Sequence, residues 1–231
     1  LADTVPIGVI CMDTSFTKIP GHIRNPATFD FPVRYRVVPG ATAELATGAN
    51  PPLLAEFIKA ARDLENQGVA AITSGCGFLA IFQRELADAV RVPLYASSLI
   101  QLPMVHRMLR RDQTVGLLLA RASTFTRRHL TGVGAERVPV CVIGMDEAPE
   151  FREVVLEARR EHLDADRLGR EVLGQVRRLA RDNPDMGALV IECTDLVPYA
   201  PAIQRHLGLP VFDIVTLTQM VHRGLTQNRF V

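Results

Sequence analysis

The stretch Val69-Ala70-Ala71-Ile72-Thr73-Ser74-Gly75-Cys76-Gly77 is a short apolar run that stops at a glycine-flanked cysteine. An unbroken run of this length suits a strand covered on both faces, as in the middle of a parallel sheet. The apolar segment that follows, about Phe78 to Val90, predicts a helix, and Val92-Pro93-Leu94-Tyr95 predicts the next strand. Upstream, Pro51 and Pro52 open a helix that Gly68 closes. Before it lie a buried strand, Ile7 to Cys11, a long polar loop from Asp13 to Pro32, and a strand at Val33 to Val38. A loop of that length inside a compact domain is commonly functional.

Downstream the alternation continues. Helix Ser98–Arg111, strand Thr114–Ala120, a helix opened by Ser123 and strand Val138–Ile143 come first. Two charged amphipathic helices, Ala148–Glu161 and Asp164–Asp182, precede strand Ala188–Glu192. Helix Tyr199–His206, strand Pro210–Phe212 and helix Ile214–Gly224 end the chain. Strands alternating with helices define an α/β chain with a mostly parallel sheet and helices on both faces.

The pattern occurs twice. Ile7-Gly8-Val9 answers Val115-Gly116-Leu117, and the turn Ile72 to Cys76 is set against Val190 to Thr194. Val92-Pro93-Leu94-Tyr95 answers Leu209-Pro210-Val211-Phe212. Cys76 lies 17 residues before Pro93, and Cys193 lies 17 before Pro210. The repeat predicts two similar, pseudo-twofold lobes, residues 1–103 with 211–231 and residues 104–210, with a cleft between them. Ligands of parallel sheets bind beyond the carboxyl ends of strands, where both cysteines fall. Each also stands near the start of the next helix, whose N–H groups are expected to favour a thiolate.

Ser74-Gly75-Cys76-Gly77-Phe78-Leu79, Glu192-Cys193-Thr194-Asp195 and Leu209-Pro210-Val211-Phe212-Asp213 resemble the cofactor-independent aspartate/glutamate racemase superfamily, which includes hydantoin racemases, maleate isomerases and arylmalonate decarboxylases. The resemblance implies an isomerase without metal or cofactor, in which one thiolate removes a proton beside a carboxylate and the opposite thiol returns one. Inversion needs an acid and a base on opposite faces of a planar intermediate. Cys76 and Cys193 take these roles. Asp13, Thr14, Ser15, Ser74, Gly75, Gly77, Ser123, Thr124 and Thr194 become the substrate contacts. The expected substrate is a small carboxylate or hydantoin, and the expected assembly a homo-oligomer, a dimer or larger. Gly77-Phe78 and Asp195 depart from the Asn-Thr and His that glutamate racemases place there. Two other readings are a maleate-type isomerase with a nucleophilic cysteine and a two-lobed binding protein with inert thiols.

Blander roles stand beside these. Asp13 can cap a turn and Ser123 a helix. Asp195 either tunes Cys193 or caps a helix, and Glu192 suits an ion pair as well as chemistry. Cys11 and Cys141 fall within strands and read as core. The six histidines show no metal spacing.

Composition narrows the classes. The 231 residues carry a formal net charge of +1, too little to draw in nucleic acid or an anionic membrane. No apolar run reaches the roughly 18–20 residues of a membrane span. The amino-terminal residues lack a secretory pattern and no CxxC pair is present, so a reducing cytoplasm is expected. Only Lys18 and Lys59 are lysines. Neither reads as buried, which argues against a pyridoxal-phosphate Schiff base.

Overall fold

The computed structural model describes residues 5–46 and 52–227. Pro51 lies outside them. Strands β1 (Ile7–Cys11), β2 (Val33–Val37), β3 (Ala71–Ser74) and β4 (Leu94–Tyr95) form one parallel sheet, in the order β2-β1-β3-β4. Strands β5 (Thr114–Leu119), β6 (Val140–Gly144), β7 (Met186–Ile191) and β8 (Val211–Phe212) form a second, in the order β6-β5-β7-β8. The same order built twice is the two-lobed α/β architecture expected from the repeat.

Pairing refines the repeat. Gly8 pairs with Ile72, and Gly116 pairs with Leu189. Ile72 therefore corresponds to Leu189, one residue before the Val190 that sequence similarity selects, and Cys76 falls on Cys193. The hydrogen bonds agree: Ile72 N–H donates to Pro93 O and Leu189 N–H to Pro210 O, both at 2.9 Å. At the sheet ends, Gly75 N–H donates to Ile10 O at 2.8 Å and Glu192 N–H to Leu118 O at 2.9 Å. Each cysteine thus leaves its sheet by the same turn.

Helices α1 (Ala43–Ala46), α2 (Pro52–Asn66), α3 (Gln83–Asp88) and α4 (Leu102–Met108) belong to the first half. Gly68 at φ +76° reverses the chain after α2, a conformation that costs other residues a steric clash. In the second half come α5 (Arg127–Gly132), α6 (Pro149–Phe151), α7 (Ala165–Asp182), α8 (Ala200–Leu207) and α9 (Ile214–Leu225). Leu168, Val172, Val176 and Leu179 of α7 are buried in a helical stripe, the face such spacing presents to a sheet.

The structure departs from the sequence pattern in three places. The predicted helix Ala148–Glu161 is only α6 plus one π-helical turn, Arg152–Leu156, broken before Ala158 at φ 51°. Cys76 is followed by a 3₁₀ turn, Gly77–Phe82, where the sequence predicts regular helix from about Phe78, and Cys193 by another, Thr194–Tyr199, ahead of the helix predicted from Tyr199. The repeat groups residues 211–231 with the first lobe, yet β8 pairs with β7 of the second sheet. Among the described residues no helix is long and apolar enough to cross a membrane.

The halves are joined by polar bonds as well as apolar packing. Ser98 Oγ donates to Ile191 O at 2.7 Å, and Gln101 Nε2 to Asp213 O at 3.1 Å. Thr194 Oγ donates to Gly75 O at 3.1 Å, tying one cysteine turn to the other.

Candidate active site

Cys76 and Cys193 line a single small cavity of ≈ 50 Å³. That is several times what one water needs, and it marks a site for a small ligand. Its walls come from both cysteine turns, from the loop after β1, from Ala120 at the end of β5, and from Val155 and Leu156 of the π turn.

The sequence-selected residues divide. Thr14, Gly75, Gly77 and Thr194 line the cavity with the two thiols. Ser74 is buried behind the turn, where its hydroxyl donates to Ala96 O at 2.6 Å and accepts from Cys76 N–H at 3.2 Å. It shapes the turn and does not line the cavity. Asp13 accepts from Gly40 N–H at 2.8 Å, so it caps a loop, and it lines a neighbouring depression together with Ser15. Ser123 is committed to Asp146, with Oγ to Oδ1 at 2.5 Å, and neither it nor Thr124 reaches the cavity. The 3₁₀ turn Ala122–Thr124 carries them away, and Ala120 takes that wall.

Gly77 permits a close approach between the halves. A Cβ there would overlap the carboxylate and the backbone carbonyl of Glu192. Phe78 follows, wedged edge-on against His129 with ring centroids 4.7 Å apart.

The loop after β1 supplies three groups that no sequence motif marks: Lys18, His22 and Arg24. The loop position of Lys18 suggests exposure, but its side chain is 11% exposed, over the ring of Phe16 and 3.4 Å from Asp195 Oδ1. His22 Nδ1 accepts from Arg24 N–H at 2.9 Å, which leaves the ring proton on Nε2, 3.0 Å from Asp195 Oδ1. Burial would raise the Asp195 carboxyl, but Lys18 and His22 outweigh it and hold Asp195 well below the usual carboxylate range. Burial lowers the His22 pKa, so the ring is neutral. Arg24 Nη1 donates to Met12 O at 2.9 Å and Thr14 Oγ1 at 3.0 Å. Its guanidinium has no carboxylate partner among the described residues. The usable signals in the sequence are the length of this loop and the scarcity of lysine.

The thiols do not behave as helix position alone suggests. Burial, then the Glu192 carboxylate, pushes Cys76 up to about 12, against the N–H groups of Phe78 and Leu79. Cys193 is driven well above its ordinary value by burial, then by Asp195 and Glu192. Its Sγ donates to Asp195 Oδ2 at 3.7 Å. Both sulfurs therefore carry their protons, because desolvation and two carboxylates outweigh the backbone dipoles. Cys11 is in the core as expected, and Cys141 is half-buried on β6.

The π turn is held over this site by a buried clamp. Glu150, fully buried, accepts from Arg160, lies 3.6 Å from Arg167 Nη1, and accepts Asp164 N–H at 2.8 Å.

This frame is a two-lobed α/β fold that brings one thiol from each sheet to a shared cavity. Among solved structures, the chain superposes on a Gly74Cys variant of arylmalonate decarboxylase with a TM-score of 0.63 at 16% identity, covering 97% of this chain and 94% of that one. A putative Asp/Glu racemase from Yersinia pestis gives 0.62 at 13% identity over 97% and 100%. Sequence comparison separates fold from function. The chain is 33% identical to dimethylsulfoniopropionate lyase 7 of Emiliania huxleyi over 96% of its own length and 67% of that protein's. It is 29% identical to the dimethylsulfoniopropionate lyase of Durusdinium sp. clade D, over 96% and 75%. Lyase 6 of E. huxleyi is 32% identical over 99% of the chain, which spans less than two thirds, 62%, of that relative. No family profile matches.

The chain belongs to the family of the dimethylsulfoniopropionate lyases. The racemase or isomerase activity inferred from the cysteine motifs is thereby overturned: those motifs report a fold that racemases share, and the sequence relatives are lyases.

Proposed function

We propose that this enzyme is a lyase that eliminates a neutral sulfide from a β-sulfonium carboxylate of the dimethylsulfoniopropionate type. A base removes the proton from the carbon beside the carboxylate. That electron pair forms the new C=C bond, the C–S pair leaves with sulfur, and acrylate and dimethyl sulfide result. The observation that carries this reading is the pair of thiols on one small cavity whose wall holds a guanidinium, Arg24, with no carboxylate partner among the described residues.

Elimination returns no proton to carbon, so one thiolate suffices where inversion needs two acid–base groups. Cys193 is assigned as the base: its S–H already points at Asp195 Oδ2, and the Lys18 ammonium stands on the same side of Asp195 as His22. Arg24 binds the carboxylate and steadies the charge that builds on it as the proton leaves. The Cys193 thiol first gives up its proton to water as the substrate enters, and the substrate's own cation favours the thiolate that remains. A unit charge about 5 Å away at an effective dielectric of about 20 is worth about 3 kcal/mol, or about two pKa units.

Headspace detection of dimethyl sulfide from purified protein tests the reading. Cys193→Ala is expected to lower kcat by about 10³ or more, and Arg24→Met to raise KM about ten-fold or more. Undiminished release from Cys193→Ala removes that sulfur as the base, and no release from the intact chain refutes the lyase assignment.

A further inference from the structure

Among the buried acidic side chains, one stands apart. Glu150 is neutralised by Arg160 and Arg167. Asp213 caps α9, where it accepts Thr216 N–H at 2.8 Å. Asp195, slightly more exposed, has Lys18 and His22. Glu192 is 2% exposed and forms part of the cavity wall, yet no cation approaches it among the described residues. Its Oε2 accepts one hydrogen bond, from Ala120 N–H at 3.0 Å, and its Oε1 faces the Gly77 turn with no donor among the described residues. A carboxylate this deeply buried, with a single N–H and no counter-ion, is costly. Such a group on the wall of a ligand cavity is completed when the ligand brings the missing charge.

We infer that Glu192 is the counter-charge for the cationic end of the substrate, which makes it the residue that selects a sulfonium over a neutral group of the same shape. This rests on the lyase reading and extends it to specificity. Arg24 and Glu192 then mark the two ends of a zwitterion. The Gly77–Phe78 turn beside Glu192 gives the cation an apolar and aromatic neighbour, a surface to which alkylated cations are drawn. Gly77 serves the same purpose: without a Cβ, the turn leaves the carboxylate its place in the wall.

The test measures binding, with two unreactive probes. One is 3-(trimethylammonio)propionate, a cation with a poor leaving group. The other is 4,4-dimethylpentanoate, its carbon isostere, which keeps the carboxylate but carries a neutral tert-butyl end. Calorimetry at about pH 8 is expected to show the cation bound about ten-fold or more tightly than the isostere. Glu192→Gln, nearly isosteric, brings that ratio to about one and leaves the neutral probe within about three-fold. Equal binding by the intact protein, or an undiminished preference in folded Glu192→Gln, overturns the proposal.

A wild-type measurement covers the case in which the variant does not fold. Burial raises Glu192 to about 7. The preference for the cation should therefore fade between about pH 8 and pH 6, and a constant ratio would overturn the proposal. The groups facing Glu192 are the Cys76 and Cys193 thiols and Asp195, with Lys18, His22 and Arg24 elsewhere around the cavity. Burial raises both thiols and lowers His22, which moves each away from that window, and Lys18, lowered by burial, keeps the support of Asp195. Dimethyl sulfide release assayed in parallel separates the two failures. Release without cation preference defeats this inference alone, and cation preference without release defeats the lyase reading alone.

Discussion

Asp195→Asn is the most informative single change, because the ion pair it breaks is lopsided. Asp195 and Lys18 sit 3.4 Å apart, with side chains 16% and 11% exposed. At an effective dielectric of about 20, a pair at this distance attracts by about 5 kcal/mol before desolvation. The two charges nevertheless act on stability in opposite directions. The Asp195 carboxyl is held low, so its charge favours the fold. The Lys18 amine is also lowered, by burial first, so its charge opposes the fold despite Asp195. Both hold because Asp195 collects a second donor, His22, whereas Lys18 is repelled by Arg24.

Asp195→Asn keeps an oxygen for His22 but strands the ammonium. The cost is limited by deprotonating Lys18, about 1.4 kcal/mol for each of the roughly three units between pH 7 and an ordinary amine. A loss of about 2–3 kcal/mol is expected. Lys18→Met alone should cost less than about 1 kcal/mol, since relief from desolvation offsets the lost attraction, and adding it to Asp195→Asn should recover most of the loss. Urea unfolding of the four proteins at pH 7 closes the cycle.

The pH dependence has a definite sign. A folded-state pKa below the unfolded value of about 3.9 gives stability that is present above that value and lost as pH falls through the folded pKa. The wild-type advantage over Asp195→Asn should shrink in strong acid, as Asp195 takes up its proton, and shrink again in alkali, as the unfolded chain also loses the Lys18 charge that the variant strands. A loss below about 0.5 kcal/mol, or a double variant no more stable than Asp195→Asn, refutes the reasoning.

Two further outcomes follow from the same geometry. Gly77→Ala places a methyl against the backbone carbonyl of Glu192, which cannot swing aside. It should cost about 2–3 kcal/mol, a fall of about 5–10 °C in Tm, and unchanged melting would show that the turn yields. In the ligand-free protein Cys76, pushed up to about 12, should react with iodoacetamide at pH 8 about a hundred-fold or more slowly than free cysteine. Labelling at the free-cysteine rate would show that the sulfur is already ionised.

Local sequence determined the alternation of strands and helices, the duplication, and the two cysteines at equivalent strand ends. Each is written in periodicity or in residues a few positions apart: an apolar run of strand length, a glycine-flanked cysteine, an apolar-Pro-apolar-aromatic strand. Even there a one-residue slip between Val190 and Leu189 needed the observed pairing to correct it. Tertiary structure decided the site. Lys18, His22 and Arg24 belong to an irregular loop with no period to read, and they meet Asp195 and the thiols only because the two sheets abut at their carboxyl ends. Ser74, Asp13 and Ser123 looked equally suited to a substrate, and each hydroxyl or carboxylate is spent on a nearby backbone or side-chain group instead. The protonation of Cys76 and Cys193 was likewise out of reach. It is set by burial and by carboxylates folded against them, and desolvation is a property of the whole packed interior rather than of neighbours along the chain.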